Sequence, residues 1–302
     1  MYDIFGIGCA TADDFIRVDQ FPKCDTKQEI AGEARQGGGL IPTALVAASR
    51  MGAHCGYFDI LGDDELSRWV VSDLEREGLD TSYIVTRQNA RPIHATIIVT
   101  ADGSRTILYS TEGRIMQDED VPSFEQLPPM KALLLDDVNS GAMEGLARTA
   151  AGARRTGIPV IADFERPPYP PLLDQIDHLI ISRNWATAVT GSPSPREALQ
   201  ALWNSERSVV IVTCGSEGAW YMEPGEEPQH QPAFPVDAVD TTGCGDVFHG
   251  VYAALLVQQV SLAERVRWAS AAAALKATKL GGRPGIPNRT HVEAFLRAHY
   301  LS

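Results

Sequence analysis

A turn, two glycines and a carboxylate are packed into seven residues, Asp240-Thr241-Thr242-Gly243-Cys244-Gly245-Asp246. The segment before them, 234–239, reads as extended, and the apolar stretch 251–257 behind them reads as helical. A helix that starts at Gly243 directs free backbone N–H groups and the positive end of its dipole at whatever lies in front of it, and both favour an anion. Asp246 then falls in the first turn, beside the bound anion. An anion cradle with an adjacent carboxylate suits the transfer of a phosphoryl group to a hydroxyl whose proton must leave.

The spacing alone leaves a structural alternative open, because a first-turn Asp after a Gly-x-Gly turn often only complements the helix dipole. The heptapeptide, however, resembles the C-terminal signature of the ribokinase-like (PfkB) carbohydrate kinases. That resemblance implies that Gly243, Cys244 and Gly245 form the anion hole, that the same two glycines contact the nucleotide phosphates, and that Asp246 is the catalytic base. It also implies ATP and Mg²⁺ as cofactors, and it admits a monovalent cation such as K⁺.

Two N-terminal features extend the resemblance to a sugar site. Asp13 matches the Asp with which the family binds sugar hydroxyls, and a carboxylate can accept two hydroxyl protons at once. Gly38 and Gly39 belong to the glycine run of the family's first signature, where the backbone approaches the sugar closely. The Asn that follows this signature in the family is Pro42 here, so the usual contact to a sugar hydroxyl is missing. A surface-turn Asp and a plain loop-to-helix turn are the structural alternatives.

The resemblance assigns a third group of residues to the nucleotide. Thr213 and Gly215 would contact the phosphates, and Gly218 would shape a hairpin; without the family, this stretch reads as strand-turn-strand. Ser182 stands where the family carries the Asn of an Asn-x-x-Glu motif that helps hold the magnesium water shell, and Trp185 stands at the Glu. Neither residue supplies the missing negative charge. This departure keeps open a second reading, a family member that binds sugar or nucleotide without catalysis.

Two segments, approximately 14–34 and 91–111, read as β-strands without crossover helices. In the family a small β-sheet lid arises at these places and covers the sugar, and lids often pair between subunits, which predicts a homodimer through the lid. Lys27 and Arg105 lie on the two segments and either bind an acidic substrate or remain solvated. The C-terminal half resembles sulfofructose kinases, and the strand of Arg105 has ketohexokinase-like features. The predicted substrate is therefore a ketose or a ketose derivative, an acidic one included.

Short apolar runs alternate with helical stretches around these motifs. Strands are predicted at 3–9, 54–60, 131–136, 159–163, 178–182 and 209–213, and helices at 40–51, 64–77, 141–156, 262–276 and 290–299. This βαβ pattern and the resemblance predict a ribokinase-like three-layer α/β/α sandwich with a mostly parallel central sheet and a small β-sheet lid. One domain over residues 1–302 is expected.

Composition narrows the remaining classes of function. The chain of 302 residues has a formal net charge of −13, which disfavours general binding to nucleic acid or to an anionic membrane. Five scattered cysteines and the absence of an apolar leader predict a cytoplasmic protein with reduced thiols and no metal bound directly by the protein. A nicotinamide-dependent oxidoreductase using Gly6 and Gly8 is a further alternative, but the stretch lacks the third small residue of a dinucleotide turn and runs into a predicted strand.

Overall fold

The computed structural model describes residues 1–101 and 104–300, so that residues 102 and 103 of the second predicted lid segment lie outside it. The described strands are β1 (Tyr2–Ile7), β2 (Thr11–Arg17), β3 (Gly32–Gly38), β4 (Cys55–Phe58), β5 (Ile60–Leu61), β6 (Val85–Thr86), β7 (Ile93–Val99), β8 (Arg105–Ser110), β9 (Met130–Asp136), β10 (Val160–Asp163), β11 (His178–Ser182), β12 (Val209–Thr213), β13 (Ala219–Met222) and β14 (Gln229–Gln231). The described helices are α1 (Leu40–Arg50), α2 (Glu65–Arg76), α3 (Met143–Arg155), α4 (Pro170–Leu173), α5 (Arg183–Thr190), α6 (Pro195–Leu202), α7 (Cys244–Val257), α8 (Leu262–Ala277) and α9 (Arg289–Tyr300).

A central sheet runs in the order β14-β13-β12-β11-β10-β9-β1-β4. Its strands from β12 to β4 are parallel, while β13 and β14 add an antiparallel edge. Successive side chains of a strand point to opposite faces. In β9, Leu134 accordingly packs into the core that includes α1, α7 and α8, whereas Leu133 and Leu135 pack into the core that includes α3 and α6. The predicted three-layer α/β/α sandwich is confirmed.

A second, smaller sheet has the order β3-β2-β7-β8 and follows β1 through a short connection. Its first two strands pair from Thr11 opposite Gly38 to Arg17 opposite Gly32, so they extend beyond the predicted segment 14–34 at both ends. One face is buried as a small apolar cluster that includes Phe15 and Ile97 and packs against Leu280, which follows α8. Strand β8, by contrast, is exposed along its whole length.

Gly6 and Gly8 lie where β1 packs against α1. A Cβ on Gly6 would stand 2.6 Å from Ile41 of that helix, and a Cβ on Gly8 would collide with the carboxylate of Asp136. These two glycines therefore allow close packing inside the protein, and β1 leads into a strand instead of a helix. This arrangement gives the dinucleotide interpretation no glycine that faces a ligand.

None of the helices in residues 1–101 and 104–300 has both the length and the apolar character needed to cross a bilayer.

Candidate active site

The loop before α7 is held in place by the carboxylate of Asp240. Its Oδ1 accepts hydrogen bonds from the backbone N–H and the hydroxyl of Thr242 at 2.9 and 2.7 Å, and its Oδ2 accepts one from the N–H of Gly281 at 2.8 Å. Burial opposes ionisation, but these hydrogen bonds outweigh it and hold the pKa of Asp240 below its usual value. The carboxylate thus ties the loop before α7 to the loop after α8.

The two glycines of the predicted anion hole, Gly243 and Gly245, lack a side chain for different structural reasons. Gly243 caps α7 with a φ of +78°, a left-handed conformation that disfavours side chains, and a Cβ there would meet the carbonyl oxygen of Gly282 at 3.3 Å. Gly245 lies in the first turn, and a Cβ there would have no atom within 4 Å apart from its chain neighbours and the backbone of its own helix. The backbone of Gly243 needs glycine for its conformation, whereas Gly245 leaves open space in front of the helix.

The open space at Gly245 belongs to a cavity of about 510 Å³. The cavity is lined by residues of the β12–β13 turn, of the segment before α7, of α7 itself and of α8, among them Thr213, Gly215, Gly218, Phe234, Phe248 and Ala277. The cavity is mostly apolar and ends at the first turn of α7, which supplies N–H donors. It therefore suits a ligand with an aromatic part and an anionic part.

The other residues predicted to bind nucleotide flank this cavity. Ser182 caps α5 by accepting a hydrogen bond from the N–H of Trp185 at 3.2 Å, and it lies opposite Thr213 in the β11–β12 pair. Thr213 donates its hydroxyl to the carbonyl of Ile181 at 3.2 Å. Gly218, the last residue of the turn before β13, has a φ of +93°, a conformation that favours glycine. The structure thus brings Thr213, Gly215 and Gly218 together with the first turn of α7.

Asp13 and Gly38 meet on the inner side of the small sheet. The Asp13 carboxylate accepts a hydrogen bond from the Thr11 hydroxyl at 2.8 Å, and a Cβ on Gly38 would collide with both groups. Gly39, with a φ of +93°, passes so close to the carbonyl of Cys9 that a side chain would collide there too. Burial raises the pKa of Asp13. The result is a carboxylate set against bare backbone, as a cup for a polyol requires.

Arg283 connects this cup to the loop after α8. Its side chain is buried, donates to the Asp73 carboxylate at 2.6 Å and donates to the carbonyl of Gly38 at 3.0 Å. Because its neighbour Gly282 contacts the cap of α7, the two halves of the site share one loop. Sequence reasoning gave Arg283 no role, although the Gly-Gly-Arg-Pro run that contains it was a visible signal.

Asp246 lies within a group of acidic side chains at the ends of strands. Burial and the negative charge of Asp163 raise the pKa of Asp246 well above its ordinary value, and the pKa of Asp163 is raised by burial and by Glu165 and Asp137. His249, three residues further along α7, has its Nδ1 3.2 Å from the Asp163 carboxylate. Within residues 1–101 and 104–300, no three His, Cys, Asp or Glu side chains are arranged to hold a metal directly.

The two cationic residues predicted on the lid are placed differently. Arg105 opens β8, and its Nη1 lies 3.4 Å from the Asp240 carboxylate, so the lid reaches the loop before α7. Lys27 lies in the exposed connection between β2 and β3, outside either strand. Of this pair, Arg105 is the residue that a contact in the structure brings to the loop before α7.

Comparison with known proteins covers almost the whole chain. Residues 3–289 match the family described as pfkB family carbohydrate kinase. The ribokinase of Haemophilus influenzae is 27% identical over 305 residues, which cover 96% of this chain and 97% of that protein. The probable fructokinase-4 of Arabidopsis thaliana is 25% identical over 296 residues, which cover 87% of this chain and 88% of that protein. The structure of Arabidopsis thaliana ribokinase complexed with ribose and ATP superimposes with a TM-score of 0.85 at 25% sequence identity. The match covers 98% of this chain and 99% of that chain.

Proposed function

The chain belongs to the PfkB family of carbohydrate kinases and is an ATP-dependent sugar kinase, and we propose that it phosphorylates a hydroxyl of a ketose or a ketose derivative, acidic derivatives included. The observation that carries the catalytic part is the position of Asp246. It stands in the first turn of α7, next to a glycine that opens into the large cavity.

The nucleotide fits the residues present, because the cavity is mostly apolar and ends at the unencumbered backbone of Gly245. When bound, ATP supplies the γ-phosphoryl group, and Mg²⁺ offsets the charge of its phosphates. The backbone of Gly243, Cys244 and Gly245 binds the phosphates through N–H donors fixed before the reaction. Asp163 and Glu165 lie near Asp246 and, when ionised, would hold the water shell of the ion in place of the family's missing Glu.

Asp246 takes the proton of the acceptor hydroxyl. A carboxylate with a raised pKa binds that proton more strongly than an ordinary Asp, provided that it is ionised at the working pH. On the sugar side, Asp13 accepts hydroxyl protons, while Gly38 and Gly39 let the sugar lie against the backbone. The lid sheet excludes water when it closes over the sugar.

Arg105 is the residue that supports an acidic substrate. Its side chain is 39% exposed and its contact with Asp240 is long for an ion pair, so an anionic group on the sugar can compete for the guanidinium. A panel of neutral and acidic sugars scored by ADP release tests this proposal. Faster turnover of ribose or adenosine than of any ketose would contradict a ketose substrate.

Substitution of Arg105 tests the acidic part separately. Arg105→Lys should raise KM for an acidic sugar much more than for a neutral one, because lysine cannot form the paired hydrogen bonds of a guanidinium. Arg35→Lys is the matched control, since Arg35 lies on the same sheet and pairs with Asp14. Equal effects of Arg105→Lys on both sugars would contradict an acidic substrate.

A second candidate function is binding without phosphoryl transfer, and the specific observation in its favour is Trp185. This side chain stacks on Phe164 and donates its indole N–H to the carbonyl of Arg166 at 2.7 Å, so a packed aromatic ring occupies the place of the family's Glu. Under this alternative, ATP would raise the melting temperature of the protein, but the protein would release no ADP with any sugar in the panel.

We further propose a homodimer formed through the lid, in the cytoplasm. Three consecutive apolar residues of β8 are exposed, Ile107 by 46%, Leu108 by 57% and Tyr109 by 69%, on a strand that stands at the edge of the small sheet as far as the structure describes the chain. Leu108→Asp should shift the mass measured by analytical ultracentrifugation from dimer to monomer. Val85→Asp, at an exposed apolar residue of β6, is the control. A wild type that sediments as a monomer would contradict the dimer.

A further inference from the structure

Lys276 is a lysine with an exposed fraction of 0% in the last turn of α8. Its Nζ donates a hydrogen bond to the backbone carbonyl of Asp240 at 2.9 Å. Taking an ammonium out of water costs several kcal/mol unless other groups compensate. Nothing in the proposed transfer so far uses this buried cation.

The groups that face Lys276 all belong to the anion-hole region. Cys244 and Asp246 of α7 and Asp240 of the preceding loop lie within electrostatic reach, and Arg105 of β8 adds a second positive charge. The helix end that carries Lys276 is fastened to the same loop, because the N–H groups of Val239 and Asp240 donate to the carbonyl of Ala277 at 2.7 and 3.0 Å. The ammonium therefore lies directly behind the anion hole.

The oxygen atoms of Asp240 already have partners. The Asp240 carboxylate accepts two hydrogen bonds from Thr242 at Oδ1 and one from Gly281 at Oδ2, and Nη1 of Arg105 lies 3.4 Å from the same Oδ1. The Asp240 carbonyl is taken by Lys276. A carboxylate offers about four acceptor positions, so little is left here to coordinate a further cation. Asp240 therefore does not fit a bound K⁺.

We propose that the Lys276 ammonium is the built-in cation of the anion-hole loop and acts there in place of a bound monovalent cation, so that phosphoryl transfer needs no K⁺. An ammonium carries the same charge as K⁺ and binds the same kind of carbonyl oxygen. Lys276 is a positioning residue: it fixes the Asp240 carbonyl and places positive charge behind the N–H groups that receive the phosphates. The inference rests on the proposed kinase function.

The wild-type protein provides the first test, at constant ionic strength in KCl, NaCl or choline chloride. We expect kcat to change by less than about two-fold between the salts and the melting temperature of the ATP-free protein to show no specific gain from K⁺. A several-fold activation by K⁺, or a melting temperature raised by K⁺ but not by choline, would overturn the proposal. The melting temperatures test the proposal even if no sugar in the panel is phosphorylated. The absence of phosphorylation would count against the proposed kinase function and not against the role of Lys276.

Lys276→Met provides the second test, with Lys279→Met as the matched control, because Lys279 is exposed just beyond the same helix. Lys276→Met should lower kcat in choline chloride by at least about ten-fold, less than the 10²–10³-fold typical of a lost oxyanion donor, because the ammonium acts through the loop. Ammonium or potassium chloride should restore part of that loss and raise the melting temperature of this variant only. Wild-type kcat in Lys276→Met would overturn the proposal, and if this variant fails to fold, the wild-type comparison decides.

Discussion

Alanine at Gly245 and alanine at Gly243 should have opposite effects on the ATP-free protein, although one residue separates the two positions. At Gly245, which lies in a helix, the new methyl group meets no atom within 4 Å apart from its chain neighbours and the backbone of that helix. Replacing such a glycine should raise the free energy of unfolding by about 0.5–1 kcal/mol, because alanine loses less backbone entropy on folding. The same methyl group would occupy the space in which, under the proposed function, the nucleotide phosphates approach the backbone.

At Gly243, in contrast, alanine should lower the free energy of unfolding. A residue with a side chain in the left-handed region costs roughly 1–2 kcal/mol, and the contact with the Gly282 carbonyl adds to this cost. The two ATP-free variants should therefore differ in free energy of unfolding by about 2 kcal/mol or more. For ATP binding to Gly245→Ala, we expect the dissociation constant to rise at least about ten-fold, which corresponds to ~1.4 kcal/mol.

Urea unfolding of the wild type and both variants without ligand measures the first quantity, and isothermal titration of each with ATP and Mg²⁺ measures the second. The expected pattern for Gly245→Ala is a more stable protein with weaker ATP binding, which general damage to the fold cannot produce. Unchanged ATP affinity in this variant would show that the open space at Gly245 does not receive phosphates. A loss of stability there would refute the structural description of that position.

Three further outcomes are expected. Asp246→Asn should fold and bind ATP but lose about 10²–10⁴-fold in kcat, since a general base contributes that much; wild-type turnover would remove Asp246 from this role. ATP or ADP with Mg²⁺ should raise the melting temperature by mass action, whereas a comparable shift with NAD would contradict a kinase site. Burial raises the pKa of Asp136 from 3.8 to about 7, so the folded protein keeps a proton there that the unfolded chain releases. The contribution of this group to the free energy of unfolding is therefore complete below about pH 4 and declines as the pH rises towards 7. In urea unfolding, Asp136→Asn should make the free energy of unfolding fall less over this pH range. An unchanged pH dependence in the variant would contradict the buried proton.

Where strands and helices form was predictable because the signals lie in neighbouring residues. The apolar runs of β9 to β12 are continuous, as parallel strands buried on both faces require, and they appear at the predicted positions. The start of α7 was equally legible, since Gly243 adopts the left-handed cap and Asp246 falls in the first turn. Turn chemistry and periodicity act over a few residues, so a sequence displays them directly.

The positions of individual side chains in the lid were harder to predict from the sequence. Lys27 was predicted on a lid strand but lies in the loop between β2 and β3, because the pairing of Thr11 with Gly38 shifts both strands away from it. That register is decided by which face of the sheet is buried, and the burial of Phe15 against Leu280 involves residues far apart in the chain.

The sequence by itself determined the layered α/β fold, the start of α7 after Gly243 and the carboxylate of Asp246 in its first turn. Only the tertiary structure decided what surrounds that carboxylate: Asp163 beside Asp246, and Lys276 behind the loop. It also decided which glycine faces open space, since Gly6 and Gly245 both stand in glycine pairs but only the second opens into a cavity. Desolvation and charge proximity depend on groups that the packing of the sheet brings together, and no pattern of adjacent residues specifies them.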